Sequence, residues 1–216
     1  MLFRSSGNDF ARSLRLGADP ARAVETLLHG KVRRIDAGFA GERLFLNSFG
    51  AGFDGEVVRR ANGSLLKRSG AIGGSLSYLF ATVAAVSRFR PLRIVVEADG
   101  ERRAFDAAWL VVAGNLPYFG GGMKICPAAS PEDGLLDVCV VHGLSGWGLL
   151  RNFPHIYRGT HIGLPQVAVF RARRLRIRAD RGLTAQTDGE PFPYRGEEIS
   201  LAPLALRVAV PDGGEG

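Results

Sequence analysis

The residues with the most chemistry to offer in this chain are carboxylates held in glycine turns. Asp9 stands in SSGND, Asp54 in GAGFDGE, Asp133 and Asp137 in SPEDGLLDV, and Asp188 with Glu190 in QTDGEP. A single Asp-Gly pair is ordinarily a turn and nothing more, because the short acid bonds its own backbone and glycine accepts a positive φ. Four such turns along a chain of formal net charge +7 point instead to carboxylates that share a cation and phosphate chemistry. Gly50, Gly52 and Gly55 repeat the spacing of a dinucleotide-binding turn. That motif also needs a ribose-binding acid about twenty residues on, and after Glu56 the next acid is Glu97. Asp54, inside the turn, would repel a pyrophosphate unless a cation lay between them, so a metal-nucleotide site fits the stretch better. Other chemistries find no support. His29, His142, His155 and His161 lie at no metal-ligand spacing, and neither GxSxG nor GxxxxGK[ST] occurs.

These acids need a framework, and the hydrophobic pattern supplies one. The stretch 45–62 reads as a buried strand carrying Leu44, Phe45 and Leu46, then the glycine turn, then a helix over 56–61. Upstream, helices are expected over 9–16 and from Asp19-Pro20 to Gly30, followed by strands over 32–37 and 43–48 with Gly41 as a hairpin signal. Apolar residues at helical spacing over 76–89 predict one long middle helix, ended by Pro91. Asp99-Gly100 joins strands 92–98 and 104–113 in an antiparallel hairpin. The run 135–141 is a nearly continuous apolar strand, and 145–157 a helix broken at Pro154. Strands over 166–171, 175–179 and 183–187, with two short runs around Ile199 and over 206–210, complete the chain. So many short strands against few helices predict a mainly β (α+β) architecture, an antiparallel β-sandwich with peripheral helices.

At 216 residues and 46% apolar, the chain can bury one good-sized core. Cys126 and Cys139 make no disulfide framework and suit a reducing cytoplasm. Arg4 and Asp9 interrupt any signal-peptide run, and the uncharged stretch between Arg68 and Arg88 is too rich in glycine and hydroxyl residues for a membrane span. The positive charge calls for a polyanionic neighbour. Arg174, Arg176 and Arg178 alternate with Leu175 and Ile177, which puts the arginines on one solvated strand face. No aromatic residues interleave with them, so an anionic membrane surface is the expected partner and nucleic acid is not.

Taken together, GND, NSFGAGFDGEVV, GNLPYFGGGMKICPAASPEDGLLDV, QTDGEPFP and a closing LALRVAVP resemble the soluble diacylglycerol kinase family, which includes bacterial lipid kinases, sphingosine kinases and ceramide kinases. The resemblance covers nearly the whole chain, with the motifs in order. It implies an ATP-dependent phosphotransferase acting on a lipid hydroxyl, built from an N-terminal ATP-binding domain and a C-terminal β-sandwich. This chain resembles the second: residues 1–30 as a helical remnant of the missing N-terminal domain, 31–216 as the sandwich. The family's GGDGT signature does not occur here, and SSGND stands where GTGND is usual, with Ser6 in place of an ATP-contacting threonine. The resemblance further implies nucleotide and magnesium contacts from Ser6, Asn8, Asp9 and Asp54. It makes Asp188 or Glu190 the catalytic base. It also implies a structural cation, Mg2+ or Ca2+, held by the Asp133 carboxylate and the backbone oxygens of Ser130 and Leu135, an oxygen-only shell suited to a hard cation. The glycine loop 120–123 lines the lipid side. A diacylglycerol-like substrate, a cytoplasmic location at the inner membrane face and a homodimer are the associated expectations; without the ATP-binding half the chain alone is expected to be inactive. The alternative is a non-catalytic sandwich remnant that binds membrane or a partner.

Overall fold

The computed structural model describes residues 8–17, 19–63 and 86–212. Its elements are helices α1 (Asp9–Ser13), α2 (Pro20–His29), α3 (Phe53–Gly63) and α4 (Gly146–Arg158), with strands β1 (Lys31–Ala40), β2 (Arg43–Phe45), β3 (Ser48–Gly52), β4 (Leu92–Ala98), β5 (Glu101–Gly114), β6 (Leu136–His142), β7 (Val167–Ala172), β8 (Arg174–Ala179), β9 (Leu183–Thr187), β10 (Glu190–Tyr194) and β11 (Ile199–Val210). Every ladder is antiparallel, in the order β10-β9-β3-β5-β4-β8-β11-β1-β2, with β6 joined to β5 and β7 to β6. The expected antiparallel sandwich with peripheral helices is the fold found. No helix among the described residues is long and apolar enough to cross a membrane.

Strand β5 is the hinge of the architecture. Its residues up to Ala108 pair with β4, and those from Leu110 onward pair with β3 and β6; Ala107, at φ 48, sits where the partners change. Because side chains alternate across a strand, Val111 and Ala113 enter the interior of the curled sheet, while Leu110 and Val112 face a second core. In β6, Val138 and Val140 go to the first core and Cys139 and Val141 to the second. Burial on both faces explains the unbroken apolar runs of these two strands. The second core is roofed by α3, the 119–123 loop and α4, and it is this roofed side that carries the candidate site.

Several expectations need correction in detail. Leu44 is 52% exposed while Phe45 is fully buried, so β2 is an edge strand with one inward residue. α4 runs through Pro154 unbroken. The proline is exposed there, so the carbonyl of Leu150, which loses its partner, sits on the outer side of the helix. The two short C-terminal runs are one strand, β11, which absorbs its irregularity at Leu204 (φ 51) opposite the β1 register shift between Ile35 and Ala37. Strand β10 went unread because Pro191 and Pro193 interrupt it. As the outermost strand of the path it tolerates residues with no N–H to donate. The expected middle helix falls almost wholly outside the described residues.

Candidate functional site

Asp54 opens α3 immediately after β3 and is 3% exposed. Gly50 makes room for it: a β-carbon there would collide with the Asp54 carboxylate. Asp54 accepts one hydrogen bond, from Gln186 Nε2 at 2.8 Å, and burial pushes its carboxyl up to about 6 against that bond. It shares a narrow apolar recess of about 30 Å³ with Phe53, Val57, Phe119, Met123 and Phe153. Small-molecule sites hold roughly 300–1,000 Å³, so the recess as it stands admits little more than a small polar end of a ligand.

Gln186 extends the arrangement outward. Its Oε1 accepts from Gly189 N at 2.7 Å, which ties Asp54 to the turn of residues 188–190. Within that turn Asp188 stands at φ 47, and its carboxylate accepts from the N–H groups of Leu46, Asn47 and Ser48 at 2.7, 3.0 and 3.0 Å. Burial raises its pKa, the three amides lower it, and nearby Glu190 raises it. With three of its roughly four acceptor positions taken by backbone amides, Asp188 builds the turn; Glu190, two residues on at the start of β10, is exposed. The same turn of residues 46–48 is held from its other side by Asn115, whose Nδ2 donates to Leu46 O at 2.9 Å and to Asp36 O at 3.1 Å. The side-chain oxygens of Asn47 and Asn115 are buried without a partner among the described residues, leaving oxygen acceptors beside the carboxylates.

Asp9 belongs to the opposite wall. Its buried carboxylate accepts from Gly121 N at 2.8 Å and Gly122 N at 2.7 Å, and burial raises its pKa against those two bonds and Arg12. It thereby fixes the loop whose Phe119 and Met123 line the recess. Asn8 caps the helix only through its backbone: it is exposed, at φ 53, and its side chain makes no capping bond. Ser6 lies outside the described residues.

The Asp133 turn is separate. Asp133 is exposed; its Oδ1 accepts from Leu135 N at 3.0 Å, and Ser130 and Leu135 are half-buried. Asp137 is 2% exposed, and its Oδ2 has no hydrogen-bond partner. Burial raises the Asp137 carboxyl, Arg171 lowers it and Asp133 raises it. Arg171 approaches Asp133 at 3.7 Å and Asp137 at 3.5 Å, longer than the roughly 2.7–2.9 Å of a strong charge-assisted bond. Asp137 Oδ2 has Arg171 Nε as its countercharge, so what the turn offers a hard cation is the Asp133 carboxylate with the backbone oxygens around it. Neither Asp36 nor Gln186 stood out in the sequence. Asp36, with no exposure at all, anchors the Asp133 turn: its carboxylate accepts from Gly134 N and Leu204 N at 2.8 and 2.7 Å, and its own N–H donates to Pro131 O.

Chemically, the site offers an apolar recess with one buried carboxylate, a built turn presenting a second, and an oxygen-rich flank. That set can hold a hydroxyl and take its proton; it contains no cationic cradle for a triphosphate within the turn itself. Residues 47–210 match the family described as the YegS C-terminal NAD kinase beta sandwich-like domain. The chain is 34% identical over 218 residues to a diacylglycerol kinase of Mycobacterium tuberculosis, an alignment covering 97% of this chain and 68% of that protein. It is 33% identical over 211 residues to a Pseudomonas fluorescens protein named probable lipid kinase YegS-like, covering 96% and 67%. A crystal structure of a diacylglycerol kinase from Bacillus anthracis superposes with a TM-score of 0.67 at 20% identity, over 96% of this chain and 64% of that one, a likeness of fold. The chain thus spans close to two thirds of the length of these proteins.

Proposed function

The chain belongs to the diacylglycerol kinase and YegS-like lipid kinase family, and we propose that it forms the acceptor side of an enzyme that moves the γ-phosphoryl group of ATP to a lipid hydroxyl. One observation carries this reading: a fully buried carboxylate, Asp54, at the wall of an apolar recess and tied through Gln186 to the turn that presents Glu190. An ionisable group with a pKa displaced by burial, set in a recess, is a candidate for a functional site. The polar end of a lipid enters the recess. Glu190 takes the hydroxyl proton as the lipid oxygen bonds to the γ-phosphorus, and the bond from that phosphorus to the bridging oxygen of ATP breaks, releasing ADP. Asp188, three of whose acceptor positions serve backbone amides, shapes the turn, and exposed Glu190 is assigned the base. Asp54 and Gln186 are positioning residues that fix Glu190 through Gly189.

Phosphoryl transfer asks a protein mainly for positioning and charge stabilisation. Magnesium bound with the nucleotide would supply charge neutralisation at the phosphates; Asp9 and Asp54, which the family resemblance puts on that side, are engaged otherwise here, Asp9 with two loop amides and Asp54 with Gln186 in the apolar recess. A structural cation is assigned to the Asp133 carboxylate and the backbone oxygens of Ser130 and Leu135. The donor-side amides that cradle triphosphate are assigned to a preceding ATP-binding segment of the kind the longer relatives have room for. In enzyme assembled with such a segment, Glu190→Gln should lower kcat at least a hundredfold with KM for ATP unchanged. Asp54→Asn, which keeps an acceptor for Gln186, should lower it less. Full activity of Glu190→Gln would overturn the assignment of the base.

A further inference from the structure

The 42 residues between Asp137 and Asp180 contain no aspartate or glutamate, yet they hold Arg151, Arg158 and five arginines over 171–178. Of these five arginines, Arg171 and Arg176 are answered by acids from neighbouring strands and turns, while Arg173, Arg174 and Arg178 make no side-chain ion pair among the described residues. Arg176 lies opposite Glu97 in the ladder and 3.3 Å from Glu198, and Arg171 approaches Asp133 and Asp137. The arginines of α4 are not answered: Arg151 and Arg158 are exposed and make no ion pair among the described residues. They share the outer side of that helix with its largest apolar group. Trp147, Arg151, Pro154 and Arg158 follow the i, i+4, i+7, i+11 spacing that aligns residues along one helix face, and Trp147 is 78% exposed. Tyr157, 46% exposed, flanks them, and Ile162, 44% exposed, follows in the short 3-10 helix Thr160–Gly163. On the inner side of the same helix, Leu149, Phe153 and Ile156 line the recess that holds Asp54.

An exposed tryptophan among arginines, with no carboxylate on the helix, is the composition of a segment that lies in the plane of an anionic membrane. Indole prefers the headgroup level, where its ring meets acyl carbons and its N–H meets water, while guanidinium groups pair with lipid phosphates. We propose that the outer face of α4 docks on an anionic lipid bilayer. In the docked state Trp147 seats among the headgroups and Arg151 and Arg158 contact phosphates, which brings α4, one wall of the recess, to the membrane. The argument for a bilayer is charge complementarity together with the exposed tryptophan beside the two arginines. Its purpose rests on reading that recess as the lipid side of a kinase.

The chain has two tryptophans, and the other, Trp109, is 2% exposed, so emission changes on docking report Trp147. Vesicles of phosphatidylcholine containing 30% phosphatidylglycerol should blue-shift the emission of the 216-residue chain, and pure phosphatidylcholine vesicles should not. Sedimentation should show the Arg151→Gln, Arg158→Gln double variant binding about thirtyfold more weakly, and Trp147→Phe abolishing the shift. The proposal is overturned if anionic vesicles bind without a Trp147 shift, if the double variant binds as tightly as wild type, or if no vesicle binds. It is equally overturned if the shift appears without lipid as protein concentration rises, which would make a second copy the occupant. Phosphoryl transfer in detergent micelles is independent of this surface. Transfer by enzyme assembled with an ATP-binding segment, without vesicle docking, sinks only the docking face; docking by the 216-residue chain with no transfer by that assembled enzyme sinks only the kinase reading.

Discussion

Asp54 has a cost that can be measured. Its carboxyl is held at about 6 against an ordinary 3.8, and at 1.36 kcal/mol per pK unit the ionised form destabilises the fold by about 3 kcal/mol. The folded-state pKa lies above the unfolded one, so the native state binds its proton more tightly. The contribution is therefore favourable below about pH 4 and is lost as pH rises to about 6. Asp54→Asn should remove this slope and raise the melting temperature at pH 7.5 by several degrees while reducing any transfer activity, the usual exchange of stability for function. Melting curves across pH 4–7.5 check it; an Asn variant that melts lower than wild type at pH 7.5 would refute the reading of Asp54 as an ionised group kept for function. Asp188 and Glu190 looked equivalent as letters in DGE, and only the three amides around Asp188 tell them apart.

The strands read most clearly from their letters, because alternation and turn chemistry are local. Asp99-Gly100 turns with both residues at positive φ, as a two-residue hairpin requires. What stayed hidden were features set by position in the sheet. β10 is possible despite two prolines because it lies at an edge, α4 passes through Pro154 because that residue faces outward, and β11 is one strand because β1 runs alongside its whole length. The site divides the same way. Asp9, Asp54 and the 188–190 turn stood out through their glycines, whereas Asp36, Gln186 and Asn115 carry no local signature and matter chiefly through contacts at sequence separations of 69 to 168. The Asp133 turn supports a prediction of its own. Chelator should lower the melting temperature of wild type but not of Asp133→Ala, since the cation would tie the Asp133 carboxylate to the backbone oxygens around it. Equal sensitivity of both proteins in calorimetry would remove the cation from this turn.

The whole molecule distributes its exposed apolar surface unevenly. One patch is the outer side of α4; another is α2, where Val24, Leu27 and Leu28 are 56, 76 and 71% exposed. Between them the sheet buries two cores, and the recess with Asp54 opens from the second. On the proposed reading such a body supplies an acceptor carboxylate on a rigid support, and the electrostatic cradle that carries phosphoryl transfer is assigned elsewhere. The most direct measurement is transfer of labelled γ-phosphate from ATP to diacylglycerol in mixed micelles. It compares residues 1–216 alone with the same residues joined behind the N-terminal third of the M. tuberculosis diacylglycerol kinase. The account predicts no transfer by the chain alone and transfer by the joined protein that Glu190→Gln abolishes. Robust transfer by residues 1–216 alone, or a folded joined protein that binds ATP and transfers nothing, would contradict it.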